Sequence, residues 1–262
     1  MKHFSSALLL TALVTAGTTI SSRAQSVQFS PRLGLNVSSV SITGVPSGFN
    51  LKNKSLVGVQ AGGTLSIGLT EKLSFQPSLL FSQKGVESEV SLRDYSDLPY
   101  VNTATITTTT KLNYLELPLN MVYTLGGAEG FQLFAGPYVA AGVGGSGSYS
   151  VEFNSTNPRL AYLNNRYSGS LIVEYGDRQS TNNNLSVNGG GGSLPTITTT
   201  ARRIDLGLNA GVGYRVGPFQ AHLGYGLGLT DFEPNDSNGN ATDTQSHHRV
   251  FQLSANYFLS GK

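Results

Sequence analysis

The sequence predicts an all-β fold: an eight-stranded, antiparallel, up-and-down transmembrane β-barrel with one long extracellular loop or extended hairpin. Three observations predict it. Apolar residues alternate with small or polar ones at period 2 along eight segments, and nowhere at the 3.6-residue period of a helix. The links between these segments alternate between tight turns and long loops, which with an even strand count is the outer-membrane barrel pattern. The polar face is built mainly from Gly, Ser, Asn and Gln, where a water-facing strand would carry Lys and Glu. Composition agrees. Only 12% of the 262 residues are charged, against about 25% in an ordinary soluble domain. Beyond the extreme N-terminus no apolar run reaches the roughly eighteen residues of a membrane helix. Zero Cys excludes disulfides and cysteine-ligated metal, and a net charge of +2 excludes a strongly basic nucleic-acid binder. The length admits one large β domain or two small ones.

Taken in order, the first element is an address. Lys2 and His3 form a short basic start, Phe4 to Gly17 an apolar core, and Ser22 and Ala24 a small-residue cleavage site. Residues 1–24 are therefore expected to be a cleaved signal peptide, and residues 25–262 the barrel. No Cys follows the cleavage site, so the signal is not of lipoprotein type. Loss of Lys2 and Arg23 leaves equal numbers of basic and acidic residues, which favours neither electrostatic membrane docking nor nucleic acid.

The eight alternating segments are Gln28–Val40, Leu56–Leu69, Leu73–Gly85, Lys111–Leu125, Phe131–Ser146, Arg202–Val216, Phe219–Thr230 and Arg249–Leu259. The clearest is Phe219–Thr230. Its odd positions are Phe219, Ala221, Leu223, Tyr225, Leu227 and Leu229; its even ones are Gln, His, Gly or Thr. Thr70-Glu71, Gly126–Gly130 and Gly217-Pro218 are tight turns. Residues 41–55, 91–105, 147–201 and 231–248 are the long loops. An exported N-terminus puts the short turns in the periplasm and the long loops outside the cell. A soluble barrel with its apolar face inward would also alternate. Glycine would weaken a water-facing strand without return, whereas in a narrow lumen it makes room for large neighbours. The segments reach the 9–11 residues that a tilted strand needs to cross a bilayer. Phe29, Phe75, Tyr123, Phe131, Tyr214, Phe219 and Tyr257 gather near the periplasmic ends, as an interfacial aromatic girdle would.

Three strings carry a family resemblance: Gln-Pro-x-Leu-x-x-Ser-x-Lys-Gly at 76–85, Tyr-Leu-Glu-x-Pro-Leu at 114–119 and Ala-Gly-Pro-Tyr at 135–138. With their flanking segments, in order over all strands but the last, they resemble the PorT-like outer-membrane β-barrel proteins of Gram-negative bacteria. The resemblance implies an integral outer-membrane barrel, and for most members no established activity. The chain departs from many such barrels at its end, where Tyr257-Phe258 is followed by Leu259-Ser260-Gly261-Lys262.

Counted from the periplasmic turns, Lys84, Glu116, Arg203 and Asp205 fall at similar heights facing the lumen. Two positive and two negative charges there are expected to form a structural plug of salt bridges, since an unpaired buried charge costs several kcal/mol. On that basis Glu116→Ala costs about 3 kcal/mol if it strands a cation; a gated conduit is the sharper alternative. Arg32 faces the same lumen lower down, with no partner apparent. Gly142, Gly144 and Gly147 spell a Gly-x-Gly-x-x-Gly string, but no helix follows, so lumen packing explains it better than dinucleotide binding. His247-His248, beside Ser246 and Asp243, are weighed as the base of a lipid-modifying hydrolase or acyltransferase. Neighbours on a strand face opposite ways, so at most one His can serve. Asp231, Glu233, Asp236, Asn238, Asn240 and Asp243 supply oxygen ligands in an order that does not fit an EF-hand. The 147–201 loop is long enough to be functional. It carries strand-like pieces at Tyr149–Phe153 and Ser170–Tyr175, and an exposed edge there could take a protein partner by β-augmentation. The expected role is thus a non-catalytic outer-membrane protein for surface interaction, envelope integrity or secretion assistance. No cofactor is expected, the partners being outer-membrane lipid and a protein at the 147–201 loop. A small lipid-modifying enzyme and a narrow channel are the alternatives.

Overall fold

The computed structural model describes residues 27–44, 50–96, 99–179 and 194–259. The signal segment and cleavage site lie outside them. The described residues form ten strands: β1 (Val27–Thr43), β2 (Asn50–Gly68), β3 (Leu73–Asp94), β4 (Asn102–Thr124), β5 (Gly130–Ser155), β6 (Asn165–Tyr175), β7 (Ile197–Ala201), β8 (Ile204–Val216), β9 (Phe219–Gly228) and β10 (Gln245–Tyr257). Eight of them close a ring. β1 to β5 pair antiparallel in chain order, β5 continues to β8, and β9 and β10 return to β1. These eight match the segments with period-2 alternation, and the connectivity is up-and-down apart from the insertion between β5 and β8.

Strand ends differ from the expectation on the outer side. Residues 41–43, 50–55, 91–94 and 102–105 are strand rather than loop: β3 and β4 stay paired as far as Asp94 and Asn102. β5 runs for 26 residues. Its first half pairs with β8 as far as Ala141, and from Gly145 it pairs with β6 instead. β7 then adds to β6 in parallel. The Gly-x-Gly-x-x-Gly string lies wholly inside β5, which continues as strand to Ser155; the short 3-10 helix at Pro158–Leu163 comes only after the strand has ended, so the string does not open a helix.

Side chains alternate as the pleat requires. Leu33, Leu35, Val37, Leu79, Leu115 and Leu117 point away from the ring and are exposed, as are Leu133, Leu206, Leu223 and Leu253. Asn36, Gln60, Ser78, Asn120, Asn209 and Gln252 point inward and are buried. The outward row from Leu115 to Leu125 is about 33 Å long at ~3.3 Å per residue, or about 25 Å along the axis at a tilt of ~40°. That is the height of the apolar band of an outer-membrane barrel. In water such a belt would far exceed the few hundred Å² of apolar patch that a soluble monomer tolerates. Phe29, Tyr123, Phe131, Tyr214, Phe219 and Tyr257 are all exposed at the short-turn end, with Phe219 and Tyr257 ring centroids 5.0 Å apart. At the other end the apolar rows stop at Lys111 and Arg203, both exposed.

One irregularity is held from inside. The β2–β3 register shifts between Ser55 and Gln60. There Ser38 Oγ accepts from Gly85 N and donates to Gly85 O at 2.9 Å, while Asn36 Nδ2 donates to Gln83 O at 3.1 Å and Ser82 Oγ at 3.1 Å. The lumen face of β1 thus satisfies backbone groups that the bulge leaves without ladder partners. Ser38→Ala is expected to cost about 1–3 kcal/mol by orphaning them, read as a lower urea midpoint in detergent micelles.

Candidate functional site

The lumen is filled in layers. Nearest the periplasmic end, polar side chains from six strands join in a hydrogen-bonded chain. Gln132 Nε2 donates to Thr124 Oγ1 (3.0 Å), Gln220 Nε2 to Gln132 Oε1 (2.8 Å), and Asn256 Nδ2 to Gln220 Oε1 (3.0 Å). Thr64 Oγ1 completes it, donating to Asn256 Oδ1 (3.3 Å) and lying 2.8 Å from Ser78 Oγ. Buried amides and hydroxyls are tolerated there because they satisfy one another.

The next layer holds aromatics. Phe134 stacks on His222 with centroids 4.5 Å apart. A Cβ on Gly211 or Gly224 would stand 2.6 or 2.7 Å from Phe134 Cζ, and one on Gly207 would overlap the Tyr138 ring. The glycines of the lumen face are therefore the space into which these rings fit, as a barrel of eight strands demands.

Above this sits the charged layer. Lys84 Nζ donates to Asp205 Oδ2 at 2.9 Å and lies 3.1 Å from Glu116 Oε2, in ion-pair contact without hydrogen-bond alignment. All three side chains are at most 1% exposed. Tyr138 OH donates to the same Asp205 oxygen at 3.2 Å, and Thr230 Oγ1 donates to Oδ1 at 3.1 Å. The ammonium also lies 4.5 Å from the Tyr138 ring centroid and 5.1 Å from that of Tyr114. Tyr114 OH is 3.2 Å from His248 Nε2, and His248 stacks on Phe232 at 4.4 Å. The result is a cross-section crowded with buried side chains.

Arg203 does not belong to this cluster, contrary to the expectation. It is exposed, at the bend just before β8, where its carbonyl accepts from Gly142 N at 2.7 Å. Period-2 counting placed it with Asp205, but β8 begins at Ile204, and parity does not carry through a bend. Arg32 is the other buried cation of the lumen, but it lies lower, opposite Asn256 of β10 and Gly62 of β2. The charged layer itself is Lys84 between Glu116 and Asp205. The three strings that carried the family resemblance converge here: Lys84 comes from the first, Tyr114 and Glu116 from the second, and Tyr138 from the third.

His247 and His248 face opposite ways, and only His248 enters the lumen. Ser246 Oγ donates to Glu233 Oε2 at 3.2 Å, while His248 engages Tyr114. Burial raises the Glu233 carboxyl above its usual range, with the Ser246 hydroxyl opposing. In the 231–243 loop, Asp236 accepts from Asn240 N at 2.7 Å and Asp231 from Ser246 N at 2.8 Å, so these carboxylates close turns. No group of three or more His, Asp or Glu among the described residues is placed to hold a metal ion.

A closed antiparallel ring with an apolar belt, an aromatic girdle and a filled polar lumen defines an integral β-barrel of the outer membrane. The sequence matches the family model described as outer membrane protein beta-barrel domain over residues 23–233, and the chain belongs to that family. No match is found among curated proteins. Among solved structures, it is similar to Ail, the attachment invasion locus protein of Yersinia pestis, in complex with the heparin analogue sucrose octasulfate (13% identity, 89% of this chain and 99% of that one, TM-score 0.37). It is also similar to Neisserial surface protein A (10%, 89% and 99%, 0.34) and to OprG from Pseudomonas aeruginosa (14%, 90% and 98%, 0.31). The assignment rests on the family match and the closed sheet.

Proposed function

We propose that the protein is a non-catalytic, PorT-like barrel that works at the cell surface by binding, in an envelope or secretion-assisting role. The observation that carries this reading is the lopsided outer wall. β5 is 26 residues long and β9 only 10, so one side of the barrel stands well above the membrane. The raised sheet ends in β7 in the strand order, and an edge strand is a template for a partner strand. Its concave side forms a cup of about 510 Å³ whose lining includes Lys54, Glu87, Thr107, Glu152 and Arg166. Lys54 and Glu87 pair across the strands at 2.9 Å, and this hydrogen bond holds the ammonium above its ordinary value. A polar cup of both signs suits a polar partner better than a lipid.

The packed charge layer supports a barrel that does not conduct. The Ser246–Glu233 and His248–Tyr114 pairings support a non-catalytic reading, because a nucleophile needs its base in hydrogen-bond reach. Two measurements test the proposal together. In planar bilayers the purified barrel is expected to give no resolved single-channel steps. Cross-linking on intact cells is expected to recover surface partners with the full chain and lose them when residues 150–198 are deleted. Resolved steps, or the same partners with and without that segment, would contradict the proposal.

A further inference from the structure

The cup on the raised sheet opens on the lipid side of the barrel wall. Lys111 points outward in the row of Leu115 and Leu117, and the β3–β4 register runs unbroken from Leu80 and Glu116 to Asp94 and Asn102. Thr109, Thr107 and Thr105 therefore continue that outward row. Residues directly opposite in an antiparallel pair share a face. Thr109 opposes Glu87 of β3, while Thr107 and Thr105 oppose Ser150 and Glu152 of β5. Arg166 of β6 opposes Glu152 in turn. All of these residues except Lys111 and the leucines line the cup. One strip thus runs up the outside of β4: apolar from Leu125 to Leu115, an exposed cation at Lys111, then hydroxyls and charges of both signs. Thr109 and Thr105 stand about 5 and 15 Å above Lys111, at ~3.3 Å per residue and a tilt of ~40°.

We propose that this strip docks one phosphorylated glycolipid of the outer leaflet, of the lipopolysaccharide class. Its acyl chains lie on the leucine row, a phosphate meets Lys111, and its saccharide fills the cup. The inference deepens the surface-binding reading and rests on it, leaving the β7 edge to a protein partner. Height selects the head. The headgroup layer of a phospholipid leaflet is about 5–8 Å deep, so a phospholipid ends near Thr109 and only a larger head reaches Thr105. Charge places the phosphate, because Lys111 is exposed where the apolar row stops. Chemistry selects the saccharide. Hydroxyls and carboxylates accept from sugar hydroxyls, while hydroxyls, ammonium and guanidinium donate to them. The cup's groups are already held in place: Arg166 Nη2 donates to Ser150 Oγ at 3.1 Å, and Lys54 Nζ to Glu87 Oε1 at 2.9 Å. A protein-binding patch would be centred on aromatic or apolar anchors. The aromatic that borders this cup, Tyr149, is buried, with its hydroxyl donating to Pro195 O.

The test uses the whole chain in detergent micelles, with native mass spectrometry counting bound lipid. Three probes are added in turn: rough-type lipopolysaccharide, which keeps its core sugars, lipid A, which lacks them, and phosphatidylglycerol as the measure of unspecific attachment. Rough-type lipopolysaccharide is expected to bind saturably and about tenfold more tightly than lipid A, the gain of one or two net hydrogen bonds. Thr107→Trp, which fills the cup from its middle, is expected to erase that preference and leave lipid A unchanged. If Thr107→Trp does not insert, Ser168→Trp on the cup's wall replaces it. Lys111→Gln is expected to weaken both glycolipids about threefold, as loss of an exposed ion pair does. Lys72→Gln, which removes an exposed cation at the short-turn end, is expected to change neither. Rough-type lipopolysaccharide bound no better than lipid A or phosphatidylglycerol, or a core preference that survives both Trp variants, would overturn the saccharide site. Unaltered glycolipid binding in Lys111→Gln would overturn the phosphate contact. Surface partners still cross-linked by a chain without core preference would overturn this inference alone and leave the surface-binding reading standing.

Discussion

Lys84→Met is expected to destabilise the barrel by about 3–5 kcal/mol, the cost of breaking a buried ion pair from one side. The ammonium is the one cation that touches both Asp205 and Glu116 among the described residues. Without it two buried carboxylates face each other, and the Tyr138 and Thr230 hydroxyls bonded to Asp205 cannot neutralise them. Glu116→Ala is expected to cost less, because Lys84 keeps Asp205. The triple variant Lys84→Met, Glu116→Gln, Asp205→Asn is expected to recover much of the loss, since a neutral, packed replacement removes the desolvation penalty with the attraction. Urea midpoints followed by circular dichroism in detergent micelles measure all three. A Lys84→Met midpoint equal to that of the unaltered protein would remove the ion pairs from any role in stability.

The second large effect is on the other face. Leu117→Arg is expected to cost about 2–4 kcal/mol, as a cation does near the bilayer midplane on the lipid side of a barrel. Leu117 is 39% exposed and points outward between Leu115 and Leu119. Leu133 also points outward, but it pairs with Tyr123 at the level of the aromatic girdle. Leu133→Arg is expected to cost only about 0–1 kcal/mol, because the penalty falls toward the interface. Refolding into lipid vesicles gives both numbers. Similar small losses at the two positions would mean that the outward face meets water.

The membrane-spanning half of the fold is legible in the sequence because lipid imposes a rule on it. A strand between acyl chains and a polar lumen must alternate, so Leu115 to Leu125 and Phe219 to Leu229 announce both strand and face. Above the membrane the rule lapses. Both faces of Thr103 to Thr110 meet water, no period survives, and β4 looked like a loop at Asn102–Thr105 where it is strand. β-Branched threonine in a run was the remaining signal. The charged cluster shows the same divide. Lys84, Glu116 and Asp205 follow from parity within uninterrupted strands, whereas Arg203 lies past a bend where parity has no meaning. Lys84 and Asp205 are 121 residues apart, so only ring closure reveals that they pair. The His248 pairing with Tyr114 spans 134 residues and was equally out of reach.

The central claim concerns which face of the ribbon meets lipid, and β10 offers the cleanest place to measure it. The chain has no cysteine, so single Cys substitutions from Val250 to Asn256 each take one nitroxide spin label. In bilayers, collision with dissolved oxygen is expected to be high at Phe251, Leu253 and Ala255. It should be low at Val250, Gln252, Ser254 and Asn256, where the labels crowd the lumen. A water-soluble nickel complex should reach neither set. Oxygen contact in the opposite phase, or free access of the nickel complex to positions 251, 253 and 255, would contradict the account.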